Sequence, residues 1–356
     1  MNTILVTGGA GFIGSSFVRH WLDNGLGRVV NFDKLTYAGH LATLAGVIDH
    51  PDHHFVHGDI ADGVLVRRLL TEHRPWAIVH FAAESHVDRS IDGPAAFVAT
   101  NVVGTWTLLD AATGYYTGLS AAEQTSFRFL HVSTDEVFGS VTGAAAEEAA
   151  PYAPNSPYAA SKAAADHFVR AYHETYGLPT LVTRSSNNFG PYQFPEKLIP
   201  VVIQNALSGR PIPVYGDGQQ VRDWLFVEDH CQALEIILAG GVPGETFNIS
   251  SGEERTNLDV VGAVCDLLDE LRPHPSRPHR DLITFVPDRP GHDRRYALDS
   301  TKVRRQLGWQ PQVTFADGLR FSVAWYLANA AWTEEVTGGR PLARLGLSRP
   351  SASTIP

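Results

Sequence analysis

The chain has 356 residues, 44% of them hydrophobic and 19% charged, so it carries enough apolar material for a buried core and is neither disordered nor collagen-like. Its 38 acidic against 28 basic residues give a formal charge of −10, which repels a phosphate backbone and argues against a nucleic-acid partner while leaving room for a local basic pocket. The two cysteines, Cys231 and Cys265, form no CxxC pair, so neither a disulfide framework nor a cysteine zinc site is indicated and buried apolar roles are expected. No basic stretch precedes the apolar run in MNTILVTGGAGFIG, and no uncharged apolar run reaches the ~18 residues of a membrane span. A soluble, cytoplasmic protein with no membrane partner is expected.

In chain order, Ile4-Leu5-Val6 is an apolar run ending in a glycine cluster, and residues 12–22 continue at helical spacing. Further strand-like runs fall at 29–33, 55–57, 77–82, 129–133 and 181–184, separated by helical patterns. Continuous apolar strands alternating with helices predict a parallel sheet covered on both faces, a doubly wound α/β domain of Rossmann type. After about residue 189 proline and glycine become frequent and strands shorten, with helical patterns at 229–239, 258–271 and 315–327. The division expected is a first domain over 1–188 and a smaller C-terminal α/β domain over 189–330, interleaved with the first. Residues 273–280 read as a loop, and 331–356 as a tail that is poorly ordered.

The glycine cluster Gly8-Gly9-Ala10-Gly11-Phe12-Ile13-Gly14 follows a strand and opens a helix, the context of a dinucleotide fingerprint. A Cβ there blocks the approach of a pyrophosphate, and the helix N-terminus offers free N–H groups to it. A structural turn uses the same letters, but Asp33 ends the second strand 19 residues beyond Gly14. A carboxylate in that place accepts from a ribose 2′-OH and repels a 2′-phosphate, so NAD is preferred over NADP, with Lys34 the residue against it. Asp59, in Gly58-Asp59-Ile60, reads as an adenine contact or as a helix N-cap, two roles that are compatible.

Tyr158-Ala159-Ala160-Ser161-Lys162 is a YxxxK, which on a helix puts phenol and ammonium on one face, and a nearby cation favours phenolate. Ser133-Thr134 ends the fifth strand shortly before it. Asp135-Glu136 reads on its own as a solvated pair; its place between strand and YxxxK makes it a candidate acid and base. His131 reads as a strand residue without a chemical role, and the histidines at 53, 54 and 57 lack metal-ligand spacing, so no metal is expected.

These motifs resemble the extended short-chain dehydrogenase/reductase superfamily in its nucleotide-sugar branch. The segments at 33–39 (DKLTYAG), 80–90 (HFAAESHVDRS), 131–137 (HVSTDEV), 187–192 (NNFGPY) and 195–200 (PEKLIP) are similar to the dTDP-glucose 4,6-dehydratases, from residue 2 to about 328. The resemblance implies oxidation at C4 with Tyr158 as base, Thr134 on O4 and Lys162 on the nicotinamide ribose. Glu136 then takes the C5 proton, Asp135 protonates the leaving C6 hydroxyl, and hydride returns to C6. NAD would be held tightly by Gly8, Gly11, Phe12, Ile13, Gly14, Asp33, Lys34, Thr36, Asp59, Ile60, Phe81, Ala82, Ala83, Ser85, Thr100 and Asn188, together with Tyr158 and Lys162. The nucleotide sugar would meet Ser85, Thr134, Asn187, Lys197, Leu198, Pro213, Tyr215, Arg222, Asn257, Arg289 and His292. Arg222 and Arg289 suit a diphosphate, with a structural ion pair as the other reading; Tyr215 either stacks on the base or packs the smaller domain.

The sequence departs from the usual family pattern at His40, Phe138, Ser185, Ser186 and Phe189, none of them in the proposed machinery. Alternatives are a UDP- or CDP-glucose 4,6-dehydratase, a 4-epimerase of the same superfamily, or a non-catalytic NAD-sensing regulator. The 4-epimerases usually lack acidic residues after the Ser or Thr that Thr134 matches. Apolar residues on more than one face of the helices at 95–112 and 157–176 predict a homodimer joined through four helices.

Overall fold

The computed structural model describes residues 3–339. Strands β1 (Thr3–Thr7), β2 (Arg28–Asp33), β3 (His53–His57), β4 (Ala77–His80), β5 (Arg128–Thr134) and β6 (Thr180–Ser185) come from the first half of the chain. β7 (Asn187–Phe189), β8 (Ile212–Tyr215), β9 (Val221–Phe226), β10 (Thr246–Ile249), β11 (Glu254–Thr256) and β12 (Ile283–Val286) follow. One seven-stranded sheet runs β10-β6-β5-β4-β1-β2-β3, and every pairing in it is parallel. The period of two sorts its side chains: Ile4 and Val6 enter one core and Leu5 the other, as Leu130 and Val132 part from Phe129. The edge strand β10 returns from the second half of the chain, a placement that local periodicity does not reveal.

The order of strands reverses beside β1, whose neighbours are β2 and β4. Ligands of such sheets sit in the crevice beyond the carboxyl ends at that point. The helix Phe12–Asp23 leaves β1 there and buries Phe17, Val18, Trp21 and Leu22 along one stripe. The helix Pro157–Tyr176 begins with Ser156 Oγ accepting from Ala159 N and Pro157 in its first turn, and stops at Gly177 with φ 68°.

A second core gathers around Phe189, Ile203, Trp224, Val264 and Leu319, between β9 with its neighbours β7 and β11, β8 paired with β12, and the helices Leu198–Leu207, Asn257–Leu271 and Phe315–Ala328. Part of the stretch expected to be a poorly ordered tail belongs to this core: residues Ala330–Thr337 form a helix with Trp332 and Val336 buried. Trp332 stands 5.5 Å from Tyr192 and 5.3 Å from Trp325, ring to ring. Residues 340–356 lie outside the described part.

One helical run, Pro94–Thr117, is long and apolar enough to cross a membrane by length and composition, and 44% of its apolar window is buried in the protein. It packs on the helix Pro157–Tyr176, and a turn of π-helix over Val98–Gly104 interrupts it. Its outer side exposes Val98, Val103 and Trp106, beside Phe168 and Tyr176 of the neighbouring helix.

Candidate active site at the carboxyl ends of the sheet

All the residues expected to hold the cofactor line one cleft, from Gly8, Gly11 and Asp33 through Phe81 and Thr100 to Asn188. The glycines there have different reasons. A Cβ on Gly8, at φ +74°, would meet the Ala82 nitrogen at 2.5 Å, so the turn itself demands glycine. A Cβ on Gly11 would meet nothing nearer than the Gly8 carbonyl oxygen at 3.4 Å, so it would instead fill the cradle below the helix Phe12–Asp23. No side chain caps that helix, which leaves its first N–H groups for an anion. This cradle fits a pyrophosphate.

Asp33 closes β2 with its carboxylate fixed by two backbone donors, Ala10 N at 2.9 Å and Leu35 N at 2.8 Å. Burial raises its pKa, and those two bonds oppose the rise. The Lys34 ammonium lies 2.6 Å from Asp59 Oδ2 and, against the effect of burial, holds that carboxyl below its ordinary value. The positive charge nearest Asp33 in sequence is therefore already paired.

The acids enter from β5. Thr134 ends the strand, its Oγ1 accepts from Glu136 N at 3.3 Å, and the short 3-10 turn Asp135–Phe138 carries both carboxyls into the cleft. Asp135 is 3% exposed; Thr134 Oγ1 donates to its Oδ1 at 3.1 Å, while Oδ2 is buried without a protein hydrogen-bond partner. Burial, reinforced by the adjacent Glu136, pushes Asp135 up to about 8. Burial also raises Glu136, with Arg289, Lys197 and Arg222 pulling it back. The turn thus holds an acid that keeps its proton at neutral pH beside a second carboxyl whose own rise three cations limit.

Tyr158 and Lys162 line the same cleft, but their electrostatics differ from the expectation of a phenolate favoured by a nearby cation. Burial, then Glu136, push the Tyr158 phenol well above its ordinary value, and burial draws Lys162 down to about 8. The Lys162 ammonium donates to Val132 O at 2.9 Å. In the protein alone, desolvation outweighs the cation.

Ser85, Asn187 and Lys197 line the cleft as well, and Lys197 Nζ donates to Ser85 O at 2.9 Å. Leu198, Pro213, Tyr215, Arg222, Asn257, Arg289 and His292 are not part of its lining. Of these, Arg222 and Arg289 act on the cleft through their charges, which oppose the rise of Glu136. Arg289 Nη1 reaches Asp88 Oδ1 at 2.9 Å, Tyr215 OH donates to Asp88 Oδ2 at 2.8 Å, and the His292 ring stands 6.2 Å from that of Tyr215. Arg222 donates to Val221 O and Asp293 O and lies 4.1 Å over the Tyr296 ring. Pro213 sits on β8, Leu198 opens its helix, and Asn257 begins another with its N–H on Gln220 O. Arg289 forms an ion pair, not with a neighbouring aspartate as weighed from sequence but with Asp88 far along the chain, and its Nε is buried without a partner.

Sequence reasoning missed Asp88, which anchors Tyr215 and Arg289. It also missed Tyr296, whose hydroxyl donates to Asp293 at 2.8 Å and reaches Glu136 Oε2 at 3.4 Å. No motif surrounds Tyr296. Asp88 lies inside the HVDRS segment, beside Arg89, and nothing local marks it as the charge that is buried. Among the described residues, no group of three His, Cys, Asp or Glu side chains is placed to hold a metal.

The family model for GDP-mannose 4,6 dehydratase matches residues 5–321. The chain is similar to a dTDP-glucose 4,6-dehydratase of Xanthomonas campestris pv. campestris, 58% identical over 95% of this chain and 97% of that one. It is likewise similar to dTDP-glucose 4,6-dehydratase 1 of Escherichia coli, 54% identical over 94% of this chain and 96% of that one. Among solved structures, a dTDP-glucose 4,6-dehydratase of Streptomyces venezuelae with NAD and TYD bound superposes with a TM-score of 0.87 at 48% identity, over 94% of this chain and 99% of that one.

Proposed function

We infer that the chain, which belongs to the GDP-mannose 4,6-dehydratase family, is a hydro-lyase that converts dTDP-glucose to dTDP-4-keto-6-deoxyglucose with NAD. The observation that carries this reading is the buried turn presenting Asp135 and Glu136 beside Tyr158. NAD supplies the hydride acceptor for C4, the hydride donor for C6 and, oxidised, a positive charge.

The residues of the chain do the rest. Tyr158 takes the O4 proton as the C4 hydride departs, with Thr134 donating to O4. The ketone at C4 acidifies the C5 proton, which Glu136 removes. Asp135, whose raised pKa keeps it protonated, delivers its proton to the C6 oxygen, and the C6–O bond breaks with loss of water. Hydride returns to C6 and Glu136 gives a proton back to C5, so the reaction is redox-neutral. Lys162 holds the nicotinamide ribose, Arg222 and Arg289 the diphosphate, and Tyr215 the base. A 4-epimerase has no step for an acid at C6, and a regulator has none for any of these groups; the buried acid pair favours the dehydratase over both. Incubation with a panel of nucleoside-diphosphate glucoses tests the reading: 4-keto-6-deoxy product forms fastest from dTDP-glucose, and no such product from any of them defeats it.

The chain is also assigned here as a homodimer acting in the cytoplasm. The exposed face of Val98, Val103, Trp106 and Phe168 on two packed helices supports the first. It supports a subunit contact rather than a lipid one, because the opposite side of the same run, with Phe97 and Leu108, is fully buried. Two buried, unpaired cysteines suit a reducing compartment.

A further inference from the structure

Behind Lys162 lies a chain of buried titratable groups that the reaction above does not use. Its ammonium sits 3.5 Å from His131 Nε2, and that same nitrogen lies 3.4 Å from Asp166 Oδ1. Asp166 follows Lys162 by four residues on the helix Pro157–Tyr176, as Lys162 follows Tyr158, so the three share one face. The other carboxylate oxygen, Oδ2, accepts from Tyr152 OH at 2.6 Å and from Arg184 Nε at 3.2 Å, and Arg184 also meets the Tyr152 hydroxyl. His131, Lys162 and Asp166 are each at most 4% exposed, so water does little to screen them.

One oxygen of Asp166 is thus pinned by a guanidinium and a phenol, and the other turns toward the imidazole that touches the lysine. We propose that Asp166 is a positioning residue of the reaction, which, held in place beside His131, keeps Lys162 an ammonium directed into the cleft by its own charge. The proposal rests on the roles given above to Tyr158 and Lys162.

The groups facing Lys162 make the sign plain. From β5 come His131 and the Val132 carbonyl; from β4 comes His80, its ring 5.2 Å from that of His131 and hydrogen-bonded to Thr7 and Thr105. From β6 comes Arg184, already engaged by Asp166, and from its own helix Tyr158 and Asp166. Burial holds both imidazoles below their ordinary range, His131 at about 4, so they are neutral at pH 7. Although burial alone would raise it, Asp166 is held well below the carboxylate range by His131 and Arg184, and so it stays anionic. Its charge opposes the desolvation that draws Lys162 down to about 8. A neutral Lys162 gives the Tyr158 phenol no cation to ionise against.

Asp166→Asn in the NAD-loaded full chain tests this, with folding checked by circular dichroism and cofactor content. The reading of Tyr158 is secured first, by C4 oxidation in a single turnover of the unaltered protein; its absence there counts against the dehydratase reading, not against Asp166. In Asp166→Asn the alkaline limb of C4 oxidation is expected to move down by about one pH unit, so the rate falls about twofold at pH 7 and about tenfold at pH 9, with KM for dTDP-glucose within about threefold. Asp166→Glu, which restores the charge, returns the limb toward its original position. A folded Asp166→Asn with its alkaline limb unmoved overturns the proposal. Should Asp166→Asn not fold, His131→Gln decides: slowed C4 oxidation at unchanged KM supports the proposal, and a wild-type rate and pH profile overturns it.

Discussion

Lys34 Nζ lies 2.6 Å from Asp59 Oδ2, so the one basic residue next to Asp33 in sequence is neutralised by a partner from beyond β3. The pair is partly exposed and contributes little to stability. Its effect is on the charge presented to a ribose. Asp33→Ala is expected to weaken NAD binding and to relax the rejection of NADP, since the carboxylate serves both ends. Asp59→Asn leaves Asp33 intact but frees the ammonium, so NADP binding improves relative to NAD. Fluorescence titration with both cofactors measures each change; unaltered affinities in Asp33→Ala remove that residue from the site.

The pH dependence separates the two halves of the reaction. Asp135 must carry a proton to release water, and with its carboxyl raised to about 8 that competence is present below pH 8 and lost as pH rises through it. Glu136 must lose a proton to attack C5, so its competence grows as pH rises. Elimination is therefore expected to fall above about pH 8 more steeply than exchange of the C5 proton with solvent, since exchange needs only Lys162 charged while elimination needs Asp135 protonated as well. Asp135→Asn, followed by mass spectrometry in heavy water, is expected to keep the C5 exchange and slow elimination about 100-fold or more. Loss of exchange together with elimination assigns both steps to one group instead.

The helix Ala330–Thr337 closes the second core. Trp332 is 9% exposed and meets Tyr192, Trp325 and Tyr326. Trp332→Ala is expected to cost about 3 kcal/mol, the range for truncating a buried aromatic. Urea unfolding that shows no loss of stability places this helix outside the cooperative unit.

Trp106, 45% exposed, and Phe168, 39% exposed, project from neighbouring helices. If that face joins two subunits, the Trp106→Arg, Phe168→Asp double substitution converts a sedimenting dimer into a monomer at micromolar concentration. A monomer before substitution defeats the dimer.

How much of this was legible in the sequence depends on the range of each constraint. Gly8 and Gly11 carry steric demands set within one strand-turn-helix, and Thr134 to Glu136 form a single capped turn, so local sequence locates them once Asp33 and the YxxxK are read beside them. The pocket arginines are different: Arg289 finds Asp88 201 residues away, and no local pattern specifies that pairing. β10, Thr-Phe-Asn-Ile, carries too few apolar residues to read as a core strand until β6 gives it an edge to join. Trp332 shows its role only against Tyr192 and Trp325, which precede it by 140 and 7 residues. His131 in an apolar strand looks the same whether it is inert or, as here, packed between a lysine and an aspartate.

The central claim is that one cofactor removes hydride from C4 and returns it to C6 while Glu136 works at C5. The most direct measurement is conversion of dTDP-glucose carrying deuterium at C4, with the position of the label read by NMR. The account predicts that deuterium arrives at C6 of the 4-keto-6-deoxy product, that C5 takes a proton from solvent, and that no reduced cofactor is released. Deuterium returned to C4, or reduced cofactor released in proportion to substrate consumed, contradicts it.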